Sequence, residues 1–321
     1  MKKRVYSRKK VLIGLLIGLV VLGSIGFVGV GWYFYEMALN PTTSKEMLFQ
    51  SVAGENTDPV KEEANRWFKE DISYEDWYIN SRDNLRLHAY VVENPKPSNI
   101  WIVGVHGYMG NGLDMARCAK VYYQSGFNML IPDLRGHGES EGDYVGMGWD
   151  DRLDLTHWVN LLIEKDPNIQ IVLYGVSMGG ATVMMASGES LPNQVKAIIE
   201  DCGYSSAWEE FSYILKEVSK VPPQPVLFAA NIATRVLAGY WISEASAVKQ
   251  VAKSTTPILF IHGEKDTFVP FFMLDKVYEA ANCEKEKLVV KEAGHAASAE
   301  MDPDLYTKTV TNFLNKHLTI E

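Results

Sequence analysis

Ile169-Gln170-Ile171-Val172-Leu173-Tyr174 runs directly into Gly175-Val176-Ser177-Met178-Gly179-Gly180, and the junction of these two stretches decides how the rest of the chain is read. The first is a short apolar run with β-branched residues, the pattern of a strand buried on both faces. The second is G-x-S-x-G followed by small residues that open a helix, which puts Ser177 on the turn between the two elements. A serine on so sharp a turn needs neighbours without a Cβ two positions before and after it, because the backbone there is pressed against packed structure. Gly175 and Gly179 meet that need. Three fixed positions recur by accident, so the surrounding sequence must decide whether Ser177 is a nucleophile.

Working outward, short apolar runs at 100–105, 128–131, 169–174, 195–199 and 257–261 alternate with segments long enough for helices. That alternation predicts an α/β fold with a mostly parallel central sheet flanked by helices, whose ligand sites sit at the carboxyl ends of the strands. Alternating apolar sequence at 72–79 and 85–92, separated by Ser81-Arg82-Asp83-Asn84, predicts an antiparallel hairpin at the start. Residues 204–253 carry no strand signal and are too many for a plain loop, so they read as a small helical cap.

A serine hydroxyl becomes a good nucleophile only when a base takes its proton and a third group orients that base. Asp266 stands in Gly263-Glu264-Lys265-Asp266-Thr267-Phe268-Val269-Pro270, just after the strand at 257–261, and His295 stands in Ala293-Gly294-His295-Ala296. Asp201, after an inner strand, and Glu264 are the alternative acids. The order Ser177, Asp266, His295 is that of an α/β-hydrolase triad. With His106-Gly107-Tyr108-Met109-Gly110-Asn111 and Asp133-Leu134-Arg135-Gly136-His137-Gly138-Glu139-Ser140 added, the chain from about residue 71 to 318 resembles the α/β-hydrolase superfamily. The resemblance is to the serine hydrolases that include monoacylglycerol lipases, bacterial cinnamoyl and feruloyl esterases, and serine aminopeptidase-like enzymes. It implies that Ser177 is the nucleophile, His295 the general base and acid, and Asp266 the carboxylate that orients it. The amide of Met178, first in its helix, is one expected oxyanion donor; the resemblance implies the amide of Tyr108 as the other. In such relatives His106 and His137 shape loops.

His262, after an apolar strand, reads as structural, while His88, His157 and His317 read as surface or half-buried residues on amphipathic patterns. Asp133 reads as a loop-fixing acid paired with Arg135. Tyr204, Trp208 and Phe211 in the cap, with the Tyr108 ring, are candidates for an apolar pocket above Ser177. No H-E-x-x-H, P-loop or strand-linked G-x-G-x-x-G occurs, so no metal, nucleotide or other cofactor is expected. Cys118, Cys202 and Cys283 form no C-x-x-C pair and read as small buried hydrophobes.

The 321 residues carry a net charge of -9, with marked asymmetry. Lys2, Lys3, Arg4, Arg8, Lys9 and Lys10 precede any acid; of the 31 basic residues the other 25 face 40 acidic ones. An acidic body argues against a nucleic-acid partner. No charge occurs from Val11 to Tyr35, and these 25 residues exceed the roughly 20 needed to span a bilayer. No small-x-small cleavage site follows, so the segment reads as an uncleaved anchor. The basic cluster keeps the N-terminus cytoplasmic and puts the rest outside, with Trp32, Tyr33 and Tyr35 at the interface. Residues 1–10 are then a cytoplasmic basic segment, 11–35 a transmembrane anchor and 36–70 a juxtamembrane stalk in which Asp58-Pro59 caps a helix. Residues 71–321 form the catalytic domain. Removing residues 1–35 is expected to leave that domain soluble and active.

The expected function is a membrane-anchored serine hydrolase of small-molecule carboxylic esters with an apolar or aromatic acyl group. One alternative is an aminopeptidase-like amide hydrolase, with Glu209 or Glu210 holding the substrate amine. Another is a non-catalytic binding module on this fold.

Overall fold

A computed structural model describes residues 8–44 and 59–320. Residues 1–7 of the basic segment, and 45–58 of the stretch read as a stalk, including the Asp58 cap, lie outside the described residues.

The strands are β1 (Glu75–Asn80), β2 (Arg86–Val92), β3 (Ile100–Val105), β4 (Asn128–Pro132), β5 (Gln170–Val176), β6 (Val195–Asp201), β7 (Ile258–Gly263) and β8 (Lys285–Val290). They form one sheet in the order β1-β2-β4-β3-β5-β6-β7-β8. The β1–β2 hairpin pairs antiparallel and joins β4 antiparallel. All remaining pairs are parallel. The inner strands are mostly apolar because each face meets a helical layer, and successive residues divide between the two. Ile171 and Leu173 pack on one face with Trp158 and Met184, whereas Val172 and Tyr174 pack on the other with Tyr122 and Phe313.

The helices are α1 (Arg8–Ala38), α2 (Pro59–Arg66), α3 (Ala116–Gln124), α4 (Asp151–Lys165), α5 (Met178–Ala186), α6 (Ala207–Tyr213), α7 (Pro223–Leu237), α8 (Ala247–Val251), α9 (Phe272–Ala280), α10 (Ser298–Met301) and α11 (Pro303–His317). Residues 204–253 hold α6, α7, α8 and short helical turns, with a single isolated bridge between Ser206 and Ser246.

The described ends of the 36–70 stretch are packed into the body rather than held off it. Leu39 is fully buried and its carbonyl accepts from Val145 N at 2.7 Å. At the other end Phe68, just past α2, is fully buried beside Tyr74 and Tyr90. The helix before it is integrated too. A Cβ on Gly31 would lie 2.5 Å from the Ala229 carbonyl oxygen in α7, Phe34 meets Phe211 edge-on at 5.1 Å, and Phe27 lies 6.3 Å from Phe228.

Two polar assignments change. His88 is fully buried, not half-exposed, because two acids offset its burial: Asp133 lies 2.7 Å from Nδ1 and Asp76 3.0 Å from Nε2. Asp133 does fix a loop, accepting from Gly112 N at 2.6 Å and Glu139 N at 3.0 Å, but it does not pair with Arg135. The loop wraps Asp133 so closely that a Cβ on Gly138, which sits at φ 53°, would fall 2.2 Å from its carboxyl carbon. Arg135 turns the other way, to Asp154 at 2.7 Å and Asp83 at 3.0 Å.

Candidate active site

Ser177 sits between β5 and α5 with φ 58° and ψ −118°, a conformation that costs an ordinary residue of order 1–3 kcal/mol. The surroundings hold it there. Its amide donates to the Asp201 carbonyl at 2.8 Å, and its own carbonyl accepts from Ala181 N at 2.9 Å. The two glycines are required by contact: a Cβ on Gly175 would be 2.2 Å from the Gly179 oxygen, and one on Gly179 would be 2.0 Å from the Val105 oxygen. The turn therefore presents the serine side chain at the carboxyl edge of the sheet.

His295 Nε2 lies 2.9 Å from Ser177 Oγ, and His295 Nδ1 lies 2.8 Å from Asp266 Oδ2. With Nδ1 donating to the carboxylate, Nε2 is left with a lone pair aimed at the serine hydroxyl. Asp266, in the loop after β7, also accepts from Phe268 N and Val269 N, each at 2.9 Å. Burial alone would raise its pKa; the side-chain hydrogen bonds from His262 and His295 outweigh that and hold it at about 2. His262 is buried, with Nε2 2.9 Å from the Val269 carbonyl and 3.3 Å from Asp266. Together with His295 it faces Asp266 Oδ2, and it also ties down the loop at Val269.

Asp201, the other candidate acid, accepts from Tyr306 OH at 3.0 Å, and burial pushes its pKa up to about 6. Glu264 is exposed. Asp266→Asn should thus reduce turnover by roughly 10³- to 10⁴-fold, because an amide in that position favours the wrong imidazole tautomer. Asp201→Asn should stay within a few-fold of wild type. Steady-state rates for the two variants, with circular dichroism to check folding, decide it; a larger loss in Asp201→Asn would reassign the acid.

Met178 opens α5, and Gly107 approaches the serine so closely that a Cβ there would lie 3.4 Å from Ser177 Cβ. The Tyr108 backbone is thus adjacent to Ser177. His106 and His137 fasten this loop. His106 is buried, which lowers its pKa and keeps it neutral; Nδ1 lies 2.7 Å from the Gly107 carbonyl and Nε2 accepts from Leu134 N at 3.0 Å. His137 Nε2 accepts from Met109 N at 3.2 Å.

A cavity of about 630 Å³ lies above Ser177. Tyr108, Tyr204 and Phe211 line it; Trp208 does not, and packs against the core instead. The Tyr108 hydroxyl donates to the Ala38 carbonyl at 2.5 Å. Glu210 also lines the cavity. It is 3% exposed, neither carboxyl oxygen has a hydrogen-bond partner among the described residues, and burial pushes its pKa well above the usual carboxylate range. Sequence reasoning missed one wall altogether, which comes from the last four turns of α1. Its signal was the recurrence of Gly26, Gly29, Val30, Tyr33 and Met37 at three- and four-residue spacing.

Residues 96–202 match the family model described as serine aminopeptidase, S33. An uncharacterized protein of Bacillus subtilis (strain 168), YqkD, is 29% identical over 227 residues, covering 70% of this chain and 74% of that one. The uncharacterized membrane protein YNL320W of Saccharomyces cerevisiae is 26% identical over 224 residues, 68% and 71% of the two chains. The Pyrococcus furiosus esterase Pf2001 superposes with a TM-score of 0.63 over 79% of this chain and 96% of its own, at 22% identity. The family match spans β3 to β6, the part of the sheet that carries the Ser177 turn and the Gly107 loop, and the superposition extends the same architecture over most of the remaining chain. The chain therefore has the α/β-hydrolase fold, and over residues 96–202 it is similar to the serine aminopeptidase, S33 family.

Proposed function

We propose that this hydrolase is a membrane-anchored serine esterase acting on carboxylic esters with an apolar acyl group. The observation that carries the reading is the continuous relay from Asp266 through His295 to Ser177 Oγ beneath an apolar cavity. In this reading His295 Nε2 takes the hydroxyl proton as Ser177 Oγ bonds to the ester carbonyl carbon. The tetrahedral oxyanion is held by the amides of Met178 and Tyr108, each donor worth about 10²–10³ in rate. The ester C–O bond then breaks, His295 returns the proton to the departing alcohol, and the acyl group stays on Ser177. Water, deprotonated by His295, attacks that acyl ester and releases the carboxylic acid with the serine restored.

The apolar helix supports the anchor. The helix Leu12–Ala38 contains an 18-residue stretch with a mean hydropathy of 2.5, and the basic cluster before it favours a cytoplasmic N-terminus with the enzyme outside. Covalent labelling by a fluorophosphonate tests the chemistry: the wild type should label at Ser177, and an unlabelled wild type would overturn the reading.

Glu210 favours a second reading. A buried carboxyl without a partner, facing the cavity, could hold the amine of an aminoacyl amide. On the esterase reading, kcat/KM for apolar acyl esters exceeds that for aminoacyl amides. If amides are preferred, and Glu210→Gln loses roughly 10- to 100-fold on them alone, the amine-binding reading replaces it.

A further inference from the structure

Gly26, Gly29, Val30, Tyr33, Phe34 and Met37 form one stripe of α1, and all six line the cavity that ends at Ser177. The stripe belongs to the same helix that is long and apolar enough to cross a bilayer. Counting from Val11, the first residue after the basic cluster, 20 residues at 1.5 Å each span about 30 Å of hydrocarbon and end at Val30. Gly26, Gly29 and Val30 therefore lie at acyl-chain depth, while the exposed Trp32 and Tyr33 occupy the interface where aromatic residues settle; Tyr35, expected there from sequence, is instead buried in the core. The glycines leave room beside the helix, since a Cβ on Gly26 or Gly29 would meet no atom within 4 Å.

The cap continues the same surface. α7 lies against α1 through Gly31 and Ala229, and turns outward Phe228 at 56%, Val236 at 75% and Leu237 at 47% exposure. Phe228 stands beside Phe27. A soluble domain rarely leaves such a patch in water, whereas a helix resting in the membrane interface presents one by design. An apolar cavity with one wall in the hydrocarbon layer, and an apolar cap helix beside that wall, has its entrance within the membrane.

We propose that the acyl group transferred to Ser177 is the long chain of a membrane lipid ester, drawn sideways along the 26–37 stripe of α1 from the leaflet that faces the catalytic domain. The proposal rests on the serine esterase reading and adds the substrate class and its route. The lipid ester keeps its chain in apolar surroundings from the bilayer to the cavity, so extraction into water is avoided.

The test uses the full chain in lipid nanodiscs with a fluorogenic series of acyl esters from 2 to 16 carbons. The wild type should favour the long chains. Gly29→Trp, and independently Gly26→Phe one turn away, should lower the ratio of 16-carbon to 2-carbon kcat/KM by about 10-fold or more, since single-methylene changes in apolar pockets already give 10- to 200-fold effects. Leu22→Trp, on the lipid-exposed part of the helix, should leave the ratio unchanged. A fluorogenic 16-carbon lipid ester placed in the protein's own nanodisc should be hydrolysed ahead of the same lipid in protein-free vesicles. A wild type that cleaves only short esters, a ratio unaltered in both stripe variants, equal loss at both chain lengths in both, or equal rates from the two lipid pools would overturn the lipid route while the esterase reading stands. A wild type that cleaves no ester and takes no fluorophosphonate would overturn the esterase reading itself.

Discussion

Ser177→Ala and His295→Ala are each expected to remove nearly all ester turnover, by about 10³-fold or more, with the fold intact. Alanine at 177 takes away the attacking oxygen while leaving the turn, because the contacts that hold its backbone are made by the Asp201 carbonyl and by Ala181 N, not by Oγ. Alanine at 295 takes away the group 2.9 Å from that oxygen, so the hydroxyl keeps its proton at neutral pH. Because the two residues act in one step, the double variant should be scarcely worse than either single one. Rates on a short-chain ester, with thermal midpoints to show that folding survives, provide the check. A multiplicative loss in the double variant would mean that His295 does not act through Ser177.

Removing residues 1–35 is expected to destabilise the protein severely, against what hydropathy alone suggests. The cut takes away Phe27, Gly31 and Phe34, which lie against α7 and Phe211, and with them the buried Tyr35. Leu227 and Ala230 are fully buried and Ala229 is 3% exposed in the intact chain. Loss of several such contacts, at about 3–5 kcal/mol for a single buried aromatic, corresponds to a fall on the order of 10 °C in thermal midpoint, or to aggregation. Removing only residues 1–25, of which those from Leu12 onward face outward, should spare both stability and short-ester turnover in detergent micelles. Calorimetry of the two truncations beside the full chain decides the matter. Equal stability in all three would mean that the contact between α1 and α7 contributes nothing.

Much of the sheet could be read from sequence because buried parallel strands announce themselves as continuous apolar runs. The edge strand β8, half-buried and charged, carries no such run and escaped the reading. Ser177, Asp266 and His295 could be put forward as a triad from their order, yet they meet only through the sheet, and it is geometry that brings Asp266 rather than Asp201 to His295. His88 was misjudged because its amphipathic neighbours said surface, whereas the compensating Asp133 is 45 residues away. The cavity wall on α1 was hidden for a different reason. Lipid and protein interior are equally apolar, so no periodicity of hydrophobicity marks which face of a membrane helix meets the protein.

Gly31, pressed against the Ala229 carbonyl, divides the N-terminal helix into two regimes of tolerance. On the proposed anchoring, residues 12–25 have only lipid to satisfy, and any sequence of similar greasiness would serve there. Residues 26–38 must also fit a neighbour and frame a chamber. A chimera carrying another protein's membrane segment of equal length and hydropathy would therefore insert normally and still be a poor substitute, and drift among related sequences should be quick in the first half of the helix and slow in the second.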